Sequence, residues 1–288
     1  MSQLSVLLLT GNEEKNIEKC LRSIAPLGAR VFIVDSESTD RTVALARAMG
    51  ATVLSRPWDT YAEQFNWGLA HAGIDTPWTM RMDADEEITP ELAVALTDFL
   101  ANPPADVGGV YVRRRVYFMG QWIRHGGYYP TWLLRVFRTG TAACEALFMD
   151  EHMVVSGGRV ISLAADIIDK NNKDLTFWIN KHNSYASREV KDILNKQRAA
   201  RDHAPQSGVL TATVTGKQDA TKRWLKDNLY LRLPLFWRPM LYFFYRYGLR
   251  LGFLDGTRGL IFHFLQAFWY RFLVDAKLYE HRRQHPDT

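Results

Sequence analysis

Cysteine is scarce in this 288-residue chain: there are two, Cys20 and Cys144, with neither a CxxC pair nor a Cys/His cluster around them. That excludes a disulfide scaffold and leaves two reduced thiols filling gaps in a core, as in a cytoplasmic protein. Long apolar runs are missing as well. No uncharged apolar stretch reaches the roughly 18 residues a transmembrane helix needs. The nearest, 259–270, is bounded by Arg258 and Arg271 and holds His263 and Gln266. Residues 2–10 have an apolar run without a basic flank or a small-residue cleavage site, so a buried strand is expected there rather than a signal peptide. Internal repeats and low-complexity tracts are absent. No recognised nucleic-acid motif accompanies the basic residues, which argues against nucleic acid as a partner.

What is present is core material: 47% of the residues are hydrophobic and 12% aromatic. That excludes disorder and fits one large domain, or one domain with an appendage. The charge is uneven. The net charge is +5, but residues from Lys217 onward hold 13 Lys and Arg against 6 Asp and Glu, so the first 216 carry −2. Residues 224–272 also hold 16 of the 36 aromatic residues, with Arg246, Arg250, Arg258 and Arg271 between them. As amphipathic helices these would lie in the interface of an anionic membrane, arginines toward the headgroups. The alternative is a helical hairpin packed on the body or on a second copy in a homodimer.

The first hundred residues alternate strand and helix patterns. Strands are expected at 5–9, 31–34, 51–54 and 78–82, and helices at 13–24, from a Ser38-Thr39-Asp40 cap through Met49, at 61–72, and from Thr89-Pro90-Glu91 onward. This rhythm predicts an α/β fold, a largely parallel sheet with helices on both faces and a ligand beyond the strands' carboxyl ends. The polar clusters 10–14, 35–40 and 83–86 all fall at strand ends and should converge on one crevice. Beyond Gly108 the pattern is less regular. Residues 110–118 alternate, placing one of Arg113, Arg114 and Arg115 opposite the other two. Gly126, Gly127 and Pro130 mark a loop, 133–137 reads as a strand, 176–201 as a helix, and 204–216 as a joint before the tail.

Asp83-Ala84-Asp85 carries the clearest chemistry. Two carboxylates one residue apart at a strand end offer hard oxygen ligands to Mg²⁺ or Mn²⁺. Glu86 and Glu87 follow, so a solvated acidic helix start is the alternative. Arg135 and Arg138 suit bidentate anion recognition or a salt-bridged strand edge. Trp122 and Trp132 offer faces to a sugar ring, or pack.

Four segments together resemble family 2 glycosyltransferases. Thr10-Gly11-Asn12-Glu13-Glu14-Lys15-Asn16-Ile17 is similar to their T-x-N-E-x-x-N-I opening. Val34-Asp35-Ser36-Glu37-Ser38-Thr39-Asp40-Arg41-Thr42 resembles their second strand, Gln64-Phe65-Asn66-Trp67-Gly68 their R/Q-x-N-x-G helix, and Asp83-Ala84-Asp85 their D-x-D motif. Further on, 129–138 and Lys181-His182-Asn183-Ser184-Tyr185-Ala186 resemble lipopolysaccharide-core and envelope glycosyltransferases of the WaaE/KdtX type. Gly11 stands where a bulky residue is usual, Asp150-Glu151-His152 replaces an H-E pair, and Asp169 stands where a His often follows.

The resemblance implies a GT-A fold over residues 1–203, with a nucleotide-sugar half to about 107 and an acceptor half from 108. A linker at 204–216 and a membrane-associating helical region at 217–288 would follow. It implies single-displacement inversion, a nucleoside-diphosphate-sugar donor, with UDP the family habit, and a divalent cation. The acceptor would be a lipid-linked or lipopolysaccharide saccharide, and the location the inner face of the cytoplasmic membrane. Thr10, Glu13, Asp35, Gln64 and Asp83 would bind the nucleotide-sugar, and Asp83 and Asp85 the metal. Arg135, Arg138 and Trp132 would meet acceptor or phosphate. Glu151 would be the base, with Asp150 and Glu145 as the other carboxylates available. A sugar-phosphate nucleotidyltransferase and a non-catalytic membrane assembly protein are the rival readings.

Overall fold

The computed structural model describes residues 2–145, 152–201 and 229–285. β1 (Leu4–Thr10) is buried along its whole length, because it lies inside a sheet covered on both faces. β2 (Arg30–Asp35) and β4 (Trp78–Asp83) flank it in parallel, and β3 (Thr52–Ser55) extends the sheet beyond β2, also in parallel. Successive side chains of a strand point to opposite faces. Leu4, Val6 and Leu8 therefore pack with α1 (Ile17–Ile24), α2 (Thr42–Ala48) and α4 (Pro90–Ala101), whereas Leu7 and Leu9 pack with α3 (Tyr61–His71). Gly68 permits that second contact: a Cβ there would lie 2.8 Å from Val34 Cγ2 and 3.2 Å from Leu7 Cδ2. Cys20 and Cys144 are buried, free thiols.

The second half of the sheet changes direction. β8 (Thr131–Arg138) runs antiparallel between β4 and β6 (Val107–Phe118), β11 (Arg159–Asp169) runs parallel to β6, and β5 (Glu86–Ile88) closes antiparallel on β11. The strand order is β3-β2-β1-β4-β8-β6-β11-β5, with β7 (Gln121–Trp122) folded back on β6. β9 (Ala142–Cys144) and β10 (Met153–Val155) form a separate ribbon. The α/β class and the parallel first half are as the sequence pattern predicts.

Two boundaries differ. The stretch 13–16 is a turn, with Glu13 O accepting from the Asn16 and Ile17 amides, so α1 starts at Ile17. Glu86 and Glu87 do not open a solvated helix: they belong to β5, and Glu86 is 2% exposed. The helix starts later because Thr89 caps it, Oγ1 accepting from Leu92 N with Pro90 in the first turn.

α5 (Leu175–Arg201) carries the chain away from the sheet, and the joint read at 204–216 lies outside the described residues. Among the described residues three α-helices follow, Trp237–Phe244, Gly256–His263 and Tyr270–Gln284. The last packs on α5, Tyr270, Val274 and Leu278 meeting Ala186, Val190 and Ile193. Buried Glu189 accepts from Tyr270 Oη and Arg271 Nη1, both at 2.6 Å. At the other end Asp255 accepts from His125 N at 3.0 Å and pairs with His125 Nδ1 at 2.8 Å. His263 presses on Gly126, where a Cβ would stand 2.0 Å from His263 Cε1. The tail is thus packed on the body, and it also keeps an apolar surface open. Of 19 large apolar residues exposed in the described chain, 14 lie between Leu229 and Tyr279. No helix among the described residues is long and apolar enough to cross a membrane.

The His263 ring is fully buried and neither of its nitrogens has a hydrogen-bond partner. Burial, helped by Arg246, pushes its pKa down to about 4. The ring is neutral in the fold, while the unfolded chain takes up a proton below about 6.5, so this contribution is complete above that pH and lost as pH falls toward 4. Urea unfolding should show a loss of about 2 kcal/mol from this group between about pH 7 and about pH 4.5. His263→Leu should have a shallower acid slope than the parent protein.

Candidate active site

The parallel strands β1, β2 and β4 end side by side, with Thr10 opposite Asp35 and Leu9 opposite Asp83. A cavity of about 1030 Å³ opens there. The first half of the chain lines it with Thr10, Glu13, Ser36, Asp83 and Asp85, α5 with Lys181 and Tyr185, and the tail with Phe262 and Gln266. The three strand-end clusters therefore meet, as strand order requires.

Asp35 sits beneath the floor rather than in it. Only 2% exposed, it accepts from Thr10 Oγ1 at 2.7 Å, Ser38 Oγ at 2.6 Å and Ser38 N at 2.8 Å. Its carboxylate holds the β1 and β2 exit loops together. Gln64 is also fully buried, its Nε2 donating to Ser36 Oγ at 3.1 Å and Arg56 O at 3.0 Å, so it too shapes the floor from below. Thr10 and Glu13 reach the cavity directly, and Glu13 is closed against Lys173 Nζ at 2.6 Å.

The 83–86 turn is the most charged part of the site. Asp83 accepts from Tyr61 Oη at 2.6 Å and pairs with Arg135 Nη2 at 3.4 Å, while Arg135 also binds Glu86. Burial works against the Asp83 charge, but Arg135 and then Arg81 outweigh it and hold its pKa at about 2. Glu86, deeper in, is pushed up to about 8 by burial, against the pull of Arg135 and with Asp83 adding to the rise. Two neighbouring carboxylates thus split apart in acidity around one guanidinium. Asp169, at the end of β11, is raised to about 6 by burial, with Arg114 opposing and Asp85 reinforcing.

Asp85 Oδ2 accepts from Asn171 Nδ2 at 2.9 Å and lies 3.8 Å from Lys181 Nζ. Burial opposes the Lys181 charge, yet Asp85, followed by Tyr185, Asp169 and Asp83, pushes its pKa up. The segment after β11 is bound over the turn: Lys170 N donates to Asp85 O at 2.9 Å, and Asn172 Nδ2 to Asn16 Oδ1 at 2.9 Å.

No cluster of three His, Cys, Asp or Glu side chains able to hold a metal ion occurs among the described residues. The donor set nevertheless fits Mg²⁺ or Mn²⁺. Those ions keep several waters and are commonly bound through one or two carboxylates plus substrate phosphates. Asp83 and Asp85 are two such carboxylates facing one cavity, their side chains 33% and 17% exposed.

Other expected positions lie elsewhere. Arg135 is at the site but 4% exposed, turned to Glu86 and Asp83 rather than to open space. Arg138 is a correction: it pairs across β8 with Trp78 at the start of β4, the far end of the sheet, and donates to the carbonyls of Val107 and Pro104. Three residues along a strand is about 10 Å, which separates it from Arg135. Trp132 stands opposite Arg113 on β6, its ring 6.0 Å from that guanidinium, and does not line the cavity. Glu145 is buried at the end of β9, 3.6 Å from His152 Nδ1. Glu151 and Asp150 lie outside the described residues. Lys173, Asn171 and Tyr61 carried no local signal in the sequence. Lys181 did, through the 181–186 segment, though without a role.

Residues 5–146 match the family described as Glycosyl transferase family 2. An uncharacterised glycosyltransferase of Rickettsia bellii is 38% identical over 104 residues, 36% of this chain and 35% of that protein. The lipopolysaccharide core biosynthesis glycosyltransferase LpsC of Rhizobium meliloti is 34% identical over 122 residues, 41% and 44% of the two chains. The matched region thus spans between a third and a half of these relatives' length. Among solved structures, a mannosyltransferase of Pyrobaculum calidifontis with GDP-Man and Mn²⁺ aligns over 99% of this chain and 88% of that one, with a TM-score of 0.48 and 15% identity.

Asp35 generates a direct test. An asparagine offers one acceptor oxygen where the carboxylate offers two, so one of the Thr10 and Ser38 donors loses its partner. Asp35→Asn should cost about 1–3 kcal/mol in urea unfolding.

Proposed function

We propose, from the match of residues 5–146 to glycosyl transferase family 2, that the chain is a metal-dependent inverting glycosyltransferase of envelope polysaccharide synthesis. It moves a sugar from a nucleoside-diphosphate sugar, with UDP the first choice, to a lipid-linked or lipopolysaccharide-core saccharide. One observation carries this reading: Asp83 and Asp85 share a single cavity with Thr10 and Glu13. A carboxylate pair and a nucleotide floor are what a diphosphate donor needs on two adjacent strand ends.

The chemistry follows from charge. An acceptor hydroxyl oxygen attacks the anomeric carbon as the bond from that carbon to the phosphate oxygen breaks. The electron pair leaves on the diphosphate, and the hydroxyl proton passes to a base on the acceptor side. Asp83 and Asp85 are the residues that would hold a divalent cation, which neutralises charge on the leaving group. Tyr61 and Arg135 keep Asp83 ionised and oriented for that task. Glu151 or Asp150 is proposed as the base from the resemblance of the 150–152 segment.

The test is release of nucleoside diphosphate from candidate donors with Mn²⁺ and a core-saccharide acceptor. Asp85→Ala should lower turnover by at least about 100-fold while the circular dichroism spectrum is unchanged. Unaltered turnover removes the role given to the turn.

The tail is proposed to dock on the inner face of the cytoplasmic membrane. Its support is the exposed apolar set between Leu229 and Tyr279, within a tail (residues 217–288) that has a +7 excess of basic charge. Phe262 and Gln266 line the cavity from the same region whose Leu260 and Phe264 are exposed, so a lipid-borne acceptor would meet the site beside the bilayer. Replacing Trp237, Leu241 and Phe244 together by serine should lower co-sedimentation with phosphatidylglycerol-containing vesicles by about tenfold or more. Equal partitioning of variant and parent removes the membrane reading and leaves the hairpin one.

A further inference from the structure

Two lysines of the segment that follows β11 face the site's carboxylates, and they do so differently. Lys173 is closed on Glu13, Nζ to Oε1 at 2.6 Å, with both side chains largely buried. Lys181 stops 3.8 Å short of Asp85 Oδ2, beyond hydrogen-bond distance. Its side chain stays 36% exposed and lines the cavity. Asp85 Oδ2 is already engaged by Asn171, and among the described residues no hydrogen bond reaches its Oδ1. The arginines near the turn have partners elsewhere: Arg135 in Glu86 and Asp83, Arg81 in Tyr61 Oη at 2.9 Å, and Arg114 in Asp169 at 3.5 Å. Lys181 approaches from the facing wall, on the α5 stripe that also presents Tyr185 and Arg188 to the cavity.

We propose that Lys181 is a charge-stabilising residue for the leaving diphosphate: it neutralises Asp85 in the empty site and donates to a diphosphate oxygen once a divalent cation takes that carboxylate. This rests on the reading of Asp83 and Asp85 as the cation turn. The bond broken is the one between the anomeric carbon and the phosphate oxygen. Its electron pair settles on that oxygen, toward which the Lys181 ammonium donates a hydrogen bond without losing its proton. A cation on a flexible stem suits such a change of partner. In the empty site Lys181 therefore competes with the cation, and in the loaded one it cooperates with it.

That reversal makes the test specific. Lys181→Met, Lys181→Gln and Lys181→Arg are made in the full chain, and Mn²⁺ binding is followed by electron paramagnetic resonance, first alone and then with inorganic pyrophosphate. The Met and Gln variants should bind Mn²⁺ alone about fivefold to tenfold more tightly than the parent, and pyrophosphate at saturating Mn²⁺ about tenfold more weakly. The Arg variant should stay near the parent in both. Asp85→Ala is the control for the underlying reading. If it abolishes Mn²⁺ binding while Met and Gln change neither affinity, the Lys181 role is overturned and the cation turn stands. If Asp85→Ala leaves Mn²⁺ binding unchanged, the cation turn fails and the Lys181 role falls with it. A merely structural Lys181 would weaken both affinities together, which also overturns the proposal.

Discussion

The site depends on the balance of like charge at one end of the sheet. Asp83, Asp85, Glu86 and Asp169 crowd together there, and each would disfavour the others' ionisation if left alone. Arg135 makes the arrangement tenable. It reaches Glu86 and Asp83 at once because β8 enters antiparallel beside β4 and delivers the guanidinium beneath the turn. A buried charge is tolerated only when it is paired and hydrogen-bonded. Asp83 stays charged at the cavity because Arg135 and Arg81 outweigh its burial, while burial pushes Glu86, deeper in, up to about 8.

The same economy of partners organises the ends of β1 and β2. Asp35 spends its carboxylate on Thr10 and Ser38, fixing two exit loops, and Gln64 fixes Ser36 from beneath. These two side chains brace from below a floor whose exposed surface is Thr10, Glu13 and Ser36. The roof comes from far along the chain. α5 brings Lys181 and Tyr185, and the tail adds Phe262 and Gln266, held in place by Asp255 on His125 and by Glu189 on Tyr270 and Arg271. One packed region thereby closes the cavity and presents an apolar surface outward.

Local spacing carries only what short-range physics can encode. The apolar run of β1, the helical spacing of Ile17, Cys20, Leu21 and Ile24, and the Thr89-Pro90 cap are local signals, and each appears where the pattern puts it. The convergence of the three polar clusters was legible too, since parallel strands bring their carboxyl ends to one edge. Tertiary structure alone decided which carboxylates are buried and which face the cavity. Glu86 and Asp85 are neighbours of similar chemistry, separated by β5 pairing with β11, a contact some eighty residues away in sequence. Arg135 and Arg138 look equivalent on one strand, yet strand rise sends them to opposite regions of the sheet. Lys173 meets Glu13 only because the segment after β11 lies against the turn that follows β1. Pairings between distant segments leave no mark in local spacing, because their energy comes from burial and charge that exist only once the chain has closed on itself.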